Sequence, residues 1–526
     1  MSDVVVIKTI PGMRRWVQQV RTQPSPHTAT PRLGRIGLVP TMGFLHPGHQ
    51  RLIQQARQEN DTVVVSVFVN PLQFGAGEDF QSYPRTLDQD CQICQTEGVD
   101  VVFAPEPQTL LNQESLTQVV PPDSLTGTLC GQTRPEHFQG VATIVVKLLN
   151  LIQPERIYFG QKDAQQLAIV RRLVQDLNVP VQVVACPIVR EANGLAYSSR
   201  NQYLTPGQQQ DATALSQGLL SAKELFRSGV RQRDALIQAV AAQIESRSSL
   251  KLEYVDLVDP DTLVPLDPLE TTGLLAVAAW VGEARLIDNV KLNARLPILA
   301  IDGPAGAGKS TITQCCAQEL GLQYLDTGAM YRAVTWLVLQ AGLPLTDEVA
   351  IAELVGQSQL TFLPSSTSQA PSQVWINGQA VTQAIRSRDV TAQVSAIAAQ
   401  PSVREILVQQ QRQLGAGGGV AMEGRDIGTH VFPDAEVKIF LTASIQERAR
   451  RRQRDLDGLG EAQISLEQLE QEIAARDQYD SQRSLAPLCK AMDAIEIETD
   501  HLTIDQVTAK VVSLYRAQQS QGITQP

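Results

Sequence analysis

The first 190 residues alternate short apolar runs with segments of helical periodicity. The runs Arg35–Pro40 and Asp61–Asn70 are rich in β-branched residues and nearly continuous, as in parallel strands buried on both faces. Between them, Pro47–Asn60 carries apolar residues at helical spacing, and Leu87–Glu97 repeats that pattern after the second run. Strands that alternate with helices predict a doubly wound, Rossmann-like α/β domain at residues 1–190.

The pattern changes twice further along the chain. From Glu191 a helical segment, Gly207–Ser246, leads to the paired apolar run Leu274–Val290, which predicts a small α+β subdomain at residues 191–294. At Ile298 a second α/β pattern begins with a strand, a glycine-rich loop and a helix. It predicts a further domain at residues 295–526, with the junction near Lys291–Pro297.

Composition narrows the class of protein. The 526 residues are 43% hydrophobic and 19% charged, as expected of globular domains, and the net charge of −11 argues against general nucleic-acid binding. The longest apolar stretch, Gly273–Gly282, is far shorter than the roughly 18 residues that span a bilayer. The N-terminus lacks the basic start of a signal peptide. We therefore expect a cytoplasmic protein without a membrane partner.

Seven scattered cysteines indicate reduced thiols rather than a disulfide framework. Cys91 and Cys94 form a C-x-x-C within a helical pattern. The spacing permits a metal or redox site, but two ordinary helix residues are the simpler interpretation because no second Cys/His pair lies near in sequence.

The segment "GPAGAGKS", Gly303–Ser310, fits the phosphate-loop pattern G-x-x-x-x-G-K-[ST] between a strand and a helix. Its glycines let backbone N–H groups wrap a phosphate at a helix N-terminus. Lys309 can reach the β- and γ-phosphates and act in catalysis, and the Ser310 hydroxyl can bind Mg²⁺. The predicted ATP ligands are Gly303, Gly306, Gly308, Lys309, Ser310 and Thr311.

Four downstream motifs, "LDTGAMYR", "SVREILVQQQR", "EGRDIGT" and "ARDQYDSQRSLAPL", resemble those of bacterial cytidylate kinases. The resemblance covers Pro297 to about Ala517 and implies a P-loop nucleoside monophosphate kinase that transfers phosphate from ATP to CMP or dCMP. UMP remains open as an acceptor, since the base-recognising residues are assigned by likeness alone. The CMP ligands that the resemblance implies are Asp326, Arg332, Ser395, Arg404, Arg425, Asp426, Asp480 and Arg483.

Two features of this region allow more than one interpretation. Five arginines between Arg448 and Arg454 fall on one predicted helix, where they can form a closing lid or simply a solvated basic face. Glu423 ends a predicted strand and can orient the shell of a bound Mg²⁺.

The front region has a separate candidate site at "HPGH", His46–His49. Two histidines three residues apart at a strand-to-helix turn can both face a triphosphate. Either imidazolium charges or neutral N–H donors would stabilise charge at the α-phosphate and the departing pyrophosphate. Structural histidines are an equally good interpretation of this motif alone.

Five further motifs, in order, resemble those of pantothenate synthetase, also called pantoate–β-alanine ligase. They are "FVNPLQF", "YPRTLDQDC", "CGQTRPEHFQGVATIV", "FGQKDAQQL" and "YSSRNQYL", and the likeness covers roughly residues 3–290. That family adenylates pantoate with ATP and releases pyrophosphate, and β-alanine then displaces AMP. Such chemistry needs positioning and charge stabilisation rather than a protein nucleophile.

The resemblance assigns residues one by one. His46 and His49 contact ATP phosphates, with His49 as the proton donor. Asn70, Gln73, Tyr83 and Gln166 belong to the pantoate and β-alanine region. The implied ATP ligands are Met42, Gly43, Phe44, Leu45, His46, Pro47, Gly48, His49, Gly160, Gln161, Lys162, Asp163, Val189, Tyr197, Ser198, Ser199 and Arg200. Taken alone, Asp163 is typical of a helix cap. The long loop Arg21–Arg35 departs from the family, and His27 within it is expected to be solvated.

Together these features resemble proteins in which the synthetase and the kinase are fused. We expect both halves to use ATP and Mg²⁺, and a homodimer through the front half by likeness to the synthetases. H-x-G-H turns also occur in nucleotidyltransferases and class I aminoacyl-tRNA synthetases, but the second lysine loop of the latter is not found. A non-catalytic scaffolding half is disfavoured because each half keeps its charged and phosphate-binding residues.

Overall fold

The computed structural model describes residues 4–22, 35–75, 77–111, 116–363, 373–458, 464–483 and 486–522. The chain divides into two compact units, with the boundary between Asn293 and Ala294. His27 and most of its loop lie outside the described residues. No described helix has the length and apolar character needed to cross a bilayer.

Within its described residues, the first unit is built on a parallel sheet of six strands in the order β1-β4-β3-β2-β5-β6. The predicted apolar runs form β2 and β3, whose central residues are buried on both faces. The chain leaves β2 first toward β3 and later toward β5, so β2 borders the switch point of the sheet. The strands are β1 (Val5–Ile7), β2 (Ile36–Thr41), β3 (Thr62–Val67), β4 (Val101–Phe103), β5 (Arg156–Gly160) and β6 (Gln182–Cys186).

Helices connect these strands, and a 3₁₀ turn at Pro71–Gln73 follows β3. The long apolar helix α7 packs against the sheet through residues such as Val141, Val145 and Leu148, in one core cluster with β2 and β3. The helices are α1 (Ile10–Thr22), α2 (Pro47–Glu59), α3 (Leu87–Thr96), α4 (Pro107–Leu110), α5 (Asp123–Thr126), α6 (Leu129–Thr133), α7 (His137–Ile152) and α8 (Ala164–Asp176).

The smaller part of the first unit combines three helices with an antiparallel sheet. The predicted helical segment Gly207–Ser246 is divided into α9 (Pro206–Ala212), α10 (Ala214–Arg227) and α11 (Arg233–Glu245). The paired apolar run forms a hairpin at the end of the sheet β7 (Leu250–Val258), β8 (Thr272–Val281) and β9 (Ala284–Asn293). A 3₁₀ turn at Ser199–Tyr203 precedes these helices.

The second unit has a five-stranded parallel sheet, as far as the structure describes it, in the order β11-β15-β10-β16-β17. A small antiparallel sheet, which the apolar pattern did not predict, consists of β12 (Leu360–Leu363), β13 (Gln373–Ile376) and β14 (Gln379–Ala380). The parallel strands are β10 (Leu299–Asp302), β11 (Gln323–Asp326), β15 (Val420–Glu423), β16 (Val437–Thr442) and β17 (Ile495–Glu498).

Eight described helices complete the second unit. The predicted arginine-rich helix is α17, which packs against α18 through Ala449, Leu456 and Leu469. The helices are α12 (Lys309–Leu320), α13 (Thr327–Gln340), α14 (Glu348–Gly356), α15 (Arg388–Ala398), α16 (Pro401–Gly415), α17 (Ile445–Gly458), α18 (Leu466–Gln482) and α19 (Ile504–Gly522).

The C-x-x-C cysteines lie on α3, as helix residues. Burial raises the pKa of Cys94 to about 12 and also raises the pKa of Cys91, so both are thiols at pH 7. The described residues contain no group of three or more His, Cys, Asp or Glu side chains placed to hold a metal ion. These observations favour packing over a metal role. Burial likewise raises the pKa values of Cys186 and Cys316 to about 12.

Gly140 on α7 tests the close packing of the first unit. A Cβ at this position would lie 2.3 Å from the carbonyl oxygen of Leu72 and 2.9 Å from the N of Gln73. We expect Gly140→Ala to lower the free energy of unfolding by about 1–3 kcal/mol, because backbone would have to move. Differential scanning calorimetry measures this effect. Gly207→Ala is the matched control, since a Cβ there meets no atom within 4 Å; equal melting temperatures for the two variants would contradict the prediction.

Candidate active sites

The predicted H-x-G-H segment begins α2, with His46 as the N-cap and His49 in the first helical turn, and Met42–Leu45 form the turn that joins β2 to it. Gly43 and Phe44 adopt positive φ angles of 84° and 51° in this turn. Asp90, on α3, accepts the N–H of Phe44 at 3.1 Å and that of Leu45 at 2.8 Å. A Cβ at Gly43 would lie only 3.0 Å from the Asp90 carboxylate. Asp90 therefore shapes the turn, and no local pattern signals it because it lies 45 residues after Leu45.

Both imidazoles of the turn use Nδ1 as a hydrogen-bond acceptor. His46 Nδ1 accepts the N–H of Gly48 at 3.1 Å, and His49 Nδ1 accepts the N–H of His46 at 3.4 Å. Each neutral ring is therefore assigned its proton on Nε2. Burial, then the charges of His49 and Lys162, lower the pKa of His46 to about 2, while burial and Lys162 lower the pKa of His49 to about 4. At pH 7 the two rings are neutral N–H donors.

These rings line a cavity of about 300 Å³ in the first unit, a volume suited to small ligands. Gly43, Phe44, Leu45, Pro47 and Gln161 belong to the same segments but do not line it. The predicted site residues that do are Met42, His46, Gly48, His49, Asn70, Gln73, Tyr83, Gly160, Lys162, Asp163, Gln166, Val189, Tyr197, Ser198, Ser199 and Arg200.

Asn70 orients Gln73 at one side of the cavity. The Asn70 Nδ2 donates to Gln73 Oε1 and to the carbonyl oxygen of Gly140, both at 3.1 Å, and its Oδ1 accepts the N–H of Leu72. Gln73 Nε2 then lies 2.8 Å from Met42 Sδ. Because the amide of Asn70 is buried and uses both ends within the protein, this residue supports Gln73 rather than presenting a free group.

Arg134 and His137 also line the cavity, although their motif gave them no predicted role. Both hold the carbonyl oxygen of Gln73, Arg134 from Nη2 at 3.1 Å and His137 from Nδ1 at 2.7 Å. Arg134 is itself paired with Glu78 at 2.6 Å. Burial and the Arg134 charge lower the pKa of His137 to about 4, so His137 is a neutral donor. These residues fix Gln73 through its backbone.

Positive charge enters the cavity from Lys162 and Arg200. Burial lowers the pKa of Lys162 to about 8, against the opposing effect of the Asp288 carboxylate. Arg200 makes a two-pronged ion pair with Asp79, at 2.9 and 2.7 Å. Asn289, on β9, donates to the carbonyl oxygen of Lys162 at 2.9 Å. The smaller part of the unit therefore helps to place the lysine segment.

Two other predicted residues have internal partners. Asp163 caps α8 by accepting the N–H of Gln166 at 3.0 Å, which confirms the cap that the local pattern predicts. The Tyr83 hydroxyl donates to Ser199 Oγ at 3.1 Å. The tyrosine thus links its own segment to the Tyr197–Arg200 segment across the cavity.

In the second unit the phosphate loop joins β10 to α12. Its glycines Gly303, Gly306 and Gly308 have φ angles of 147°, 77° and 89°. A Cβ at Gly303 would lie 2.1 Å from the carbonyl oxygen of Leu441, so this position needs glycine for space as well as for conformation. The loop thereby turns back tightly over the end of its strand and opens a helix N-terminus.

Lys309 begins α12 and folds back onto its own loop. Its Nζ donates to the carbonyl oxygen of Pro304 at 2.7 Å. Burial, followed by the charge of Arg425, lowers the pKa of Lys309 well below its usual value. Bound phosphates would reverse that shift by supplying negative charge. Ser310 and Thr311 follow in the first turn of the same helix.

Glu423 lies beside the phosphate loop, where the sequence placed it at a strand end. Its carboxylate accepts the hydroxyl of Ser310 at 2.7 Å and a short hydrogen bond from the hydroxyl of Tyr324. Burial, then the Asp326 charge, raises the pKa of Glu423. Tyr324 on β11 was not predicted; it holds the carboxylate from the opposite side.

The predicted acceptor residues form ion pairs around one turn. Asp426 pairs with Arg404 and, at 3.5 Å, with Arg483. Asp326 caps α13 and pairs with Arg332 at 2.8 Å, and Arg425 pairs with Asp480 at 3.0 Å. The arginines Arg404 and Arg483 hold the pKa of Asp426 below its usual value despite burial. Ser395 lies half-buried on α15.

Arg476, on α18, also belongs to this group, although the motif that contains it gave it no predicted role. Burial lowers its pKa, and the neighbouring charge of Arg425 adds to the shift. Arg332 and Arg452 act in the same direction. A set of half-buried, mutually repelling guanidiniums such as Arg332, Arg425 and Arg476 is a suitable receptor for phosphate.

Arg448 differs from the other arginines of α17. It is buried, donates to the carbonyl oxygen of Ala305 in the phosphate loop at 3.1 Å, and pairs with Asp477 of α18 at 2.6 Å. Arg450 and Arg454 are mostly exposed beside Glu447. Arg448 is therefore a brace of the loop, while Arg450 and Arg454 fit the solvated face.

Comparison with known proteins agrees with this geometry. A family model described as pantoate-beta-alanine ligase matches residues 5–291, and one described as cytidylate kinase matches residues 299–517. The crystal structure of pantothenate synthetase from Thermus thermophilus is 42% identical, has a TM-score of 0.50, and matches over 55% of this chain and 99% of its own.

Curated relatives extend the match over both units. A bifunctional pantoate ligase/cytidylate kinase of Acaryochloris marina is 57% identical over 520 residues, which cover 98% of this chain and 99% of its own. The protein of the same name from Trichormus variabilis is 58% identical over 92% of each chain. The chain therefore belongs to the family of bifunctional pantoate ligase/cytidylate kinase proteins.

Proposed function

We propose that the chain catalyses two ATP-dependent reactions, one in each unit. The first unit condenses pantoate and β-alanine to pantothenate through pantoyl adenylate and releases AMP and pyrophosphate. The second unit phosphorylates CMP or dCMP to the diphosphate. What supports the proposal is that most of the predicted ligands of the first unit line one cavity, while in the second unit Glu423, two residues before Arg425, accepts the hydroxyl of Ser310 in the phosphate loop.

In the first reaction a pantoate carboxylate oxygen attacks the α-phosphorus of ATP. His46 and His49 offer Nε2–H donors to the phosphates, since their Nδ1 atoms accept hydrogen bonds from the backbone, and Lys162 supplies positive charge to the departing pyrophosphate. The polyphosphate also raises the pKa values of the two histidines by supplying negative charge, which suits His49 to proton donation. Gln73 and Gln166 orient the pantoate.

In the second half of that reaction the amine of β-alanine attacks the acyl carbon, and AMP leaves. The anhydride is already activated, so the protein contributes mainly placement. The Asn70, Arg134 and His137 contacts hold Gln73 rigidly for this purpose.

Phosphoryl transfer in the second unit depends on alignment and charge neutralisation. The phosphate loop and Lys309 hold ATP. Arg404 and Arg425 release part of their internal pairing to hold the CMP phosphate, and Arg483 binds the phosphate or the base. Asp480 binds the ribose, Asp426 and Ser395 contact the base, and Asp326 and Arg332 line the site.

Mg²⁺ fits the oxygen donors beside the phosphate loop. Ser310 Oγ and the Glu423 carboxylate lie 2.7 Å apart and are the hard oxygen ligands that this ion prefers. Nucleotide phosphates would supply most of the ligands of the ion, and these two residues would bind it directly or through water. An ion held by these residues would neutralise negative charge on the nucleotide phosphates.

The remaining partners are small molecules. We propose a homodimer through the first unit, because the synthetases that this unit resembles are commonly dimers, and a cytoplasmic location suited to both metabolic reactions.

Reciprocal variants test the two sites in one chain. We expect His49→Ala to lower pantothenate formation about 10²–10³-fold, the usual cost of removing one such donor, and to leave CMP phosphorylation unchanged. Lys309→Ala should abolish CMP phosphorylation and spare pantothenate formation. Pantoate-dependent pyrophosphate release and ADP formation measure the two activities. Loss of both activities in a variant that keeps the wild-type melting temperature would contradict separate sites.

The pH profile tests Lys162. Its pKa is lowered to about 8, so its charge is present below pH 8 and is lost as pH rises through that value. We therefore expect kcat/KM for ATP in pantothenate formation to fall above about pH 8. Lys162→Arg keeps its charge and should move this alkaline limb upward. An alkaline limb at the same pH in both proteins would contradict the assignment.

An acceptor panel tests the second reaction. CMP, dCMP, UMP and AMP are supplied to the intact chain with ATP, while pantothenate formation is assayed in parallel. We expect CMP and dCMP to be phosphorylated fastest, because an arginine-held Asp426 can accept from the cytosine amino group. Equal rates with UMP would overturn the specificity, whereas preference for AMP would overturn the CMP site.

A further inference from the structure

The turn Gly424–Gly428, which we call the acceptor turn, carries Arg425 and Asp426. It joins the end of β15 to a single π-helical turn at Ile427–Val431. The directions of both side chains depend on the backbone of this turn, since each is attached to it directly. What fixes that backbone therefore fixes the acceptor site.

The acceptor turn is tied to the neighbouring strand β10 at both ends. Before the two functional residues, the N–H of Gly424 donates to the carbonyl oxygen of Ile301 at 3.0 Å. After them, the N–H groups of Ile427 and Gly428 donate to the two carboxylate oxygens of Asp302, at 2.8 and 2.7 Å. Each oxygen of Asp302 thus serves one N–H.

Asp302 also adjoins the phosphate loop. It is the last residue of β10, and Gly303 follows it with its backbone pressed against Leu441. Asp302 is only 5% exposed. Burial raises the pKa of its carboxyl to about 6, against the two N–H bonds, which favour the charged form. The carboxyl of Asp302 therefore lies where its charged form is costly to bury.

We propose that Asp302 is the positioning residue of the acceptor turn, holding Ile427 and Gly428 so that Arg425 and Asp426 face the CMP beside the phosphate loop. This inference rests on the proposed CMP site. One residue thereby sets the distance between the ATP loop and the acceptor. In-line transfer needs that distance to be held, because reacting groups must meet in a defined geometry.

The experiment compares Asp302→Asn with wild type in the full chain. Asparagine has nearly the same shape but only one acceptor oxygen, so one N–H of the acceptor turn faces an amide NH₂ instead. We expect the Kd and KM for CMP to rise about tenfold or more, and the Kd for ATP to change by a smaller factor, because Asp302 acts on the phosphate loop only through its charge near Lys309. Isothermal titration calorimetry and initial rates measure these values.

A merely structural role gives a different result. Partial unfolding lowers kcat and leaves both KM values unchanged, since the folded fraction binds normally. Asp302→Ser, which keeps one acceptor in a smaller side chain, gives a second reading if Asp302→Asn does not fold. Glu319→Gln, from an exposed pair with Arg516, is the matched control for loss of a carboxylate in this unit and should change neither substrate affinity.

Two outcomes overturn the inference. One is an unchanged CMP affinity in a folded Asp302 variant; the other is an equal loss of CMP and ATP affinity. Pantothenate formation in the same samples shows that the first unit is intact, and an unchanged melting transition of the second unit shows that the Asp302 variant is folded. A wild-type chain that binds no CMP overturns the proposed function as well, whereas wild-type CMP binding with an unaffected variant overturns only the role of Asp302.

Discussion

A buried carboxylate that accepts two consecutive backbone N–H groups shapes a functional turn in each unit. Asp90 does so for Phe44 and Leu45, and Asp302 for Ile427 and Gly428. Burial raises the pKa of both carboxyls. Loops that must face a ligand cannot satisfy their N–H groups through regular secondary structure, so a side chain does it. The turn that precedes His46 and the acceptor turn both depend on this arrangement.

In both units, carboxylates of the protein hold the arginines near the candidate sites in fixed orientations before an anionic substrate binds. Arg200 is held by Asp79, Arg134 by Glu78, and Arg425 by Asp480. The whole chain carries a net charge of −11, so the positive potential is local to the sites. A buried guanidinium without a partner would be costly, and a paired one is already oriented. Substrate phosphates then compete with carboxylates rather than with water.

The sequence predicts those parts of the sites that are contiguous along the chain. Gly303–Ser310 and His46–His49 carry their geometry in their spacing, and the apolar runs predict the central strands that precede them. Asp90 could not be found in this way, because its partners are 45 and 46 residues away. The pairing of a residue with a distant backbone leaves no periodic signal. Tyr324 was missed because its contact is with the side chain of Glu423, 99 residues away, and Arg476 because the motif that contains it gave it no predicted role. A local pattern also does not tell apart residues of the same type on one helix. In the sequence Arg448 is one of several equivalent arginines, yet it alone among the described α17 arginines bonds to the phosphate loop. Burial distinguishes Arg448 from the exposed arginines of α17, and burial depends on tertiary packing that the local sequence does not show.

Three of the scattered cysteines are fully buried, and this makes their reactivity sensitive to local unfolding. Cys94 and Cys186 are sealed in the first unit and Cys316 in the second, each fully buried and with its thiol pKa raised to about 12. Thiolate reagents reach such groups only when the surrounding structure opens. Each unit therefore contains its own buried thiol probe. The rate of alkylation at each cysteine reports how often that unit opens while its neighbour stays folded.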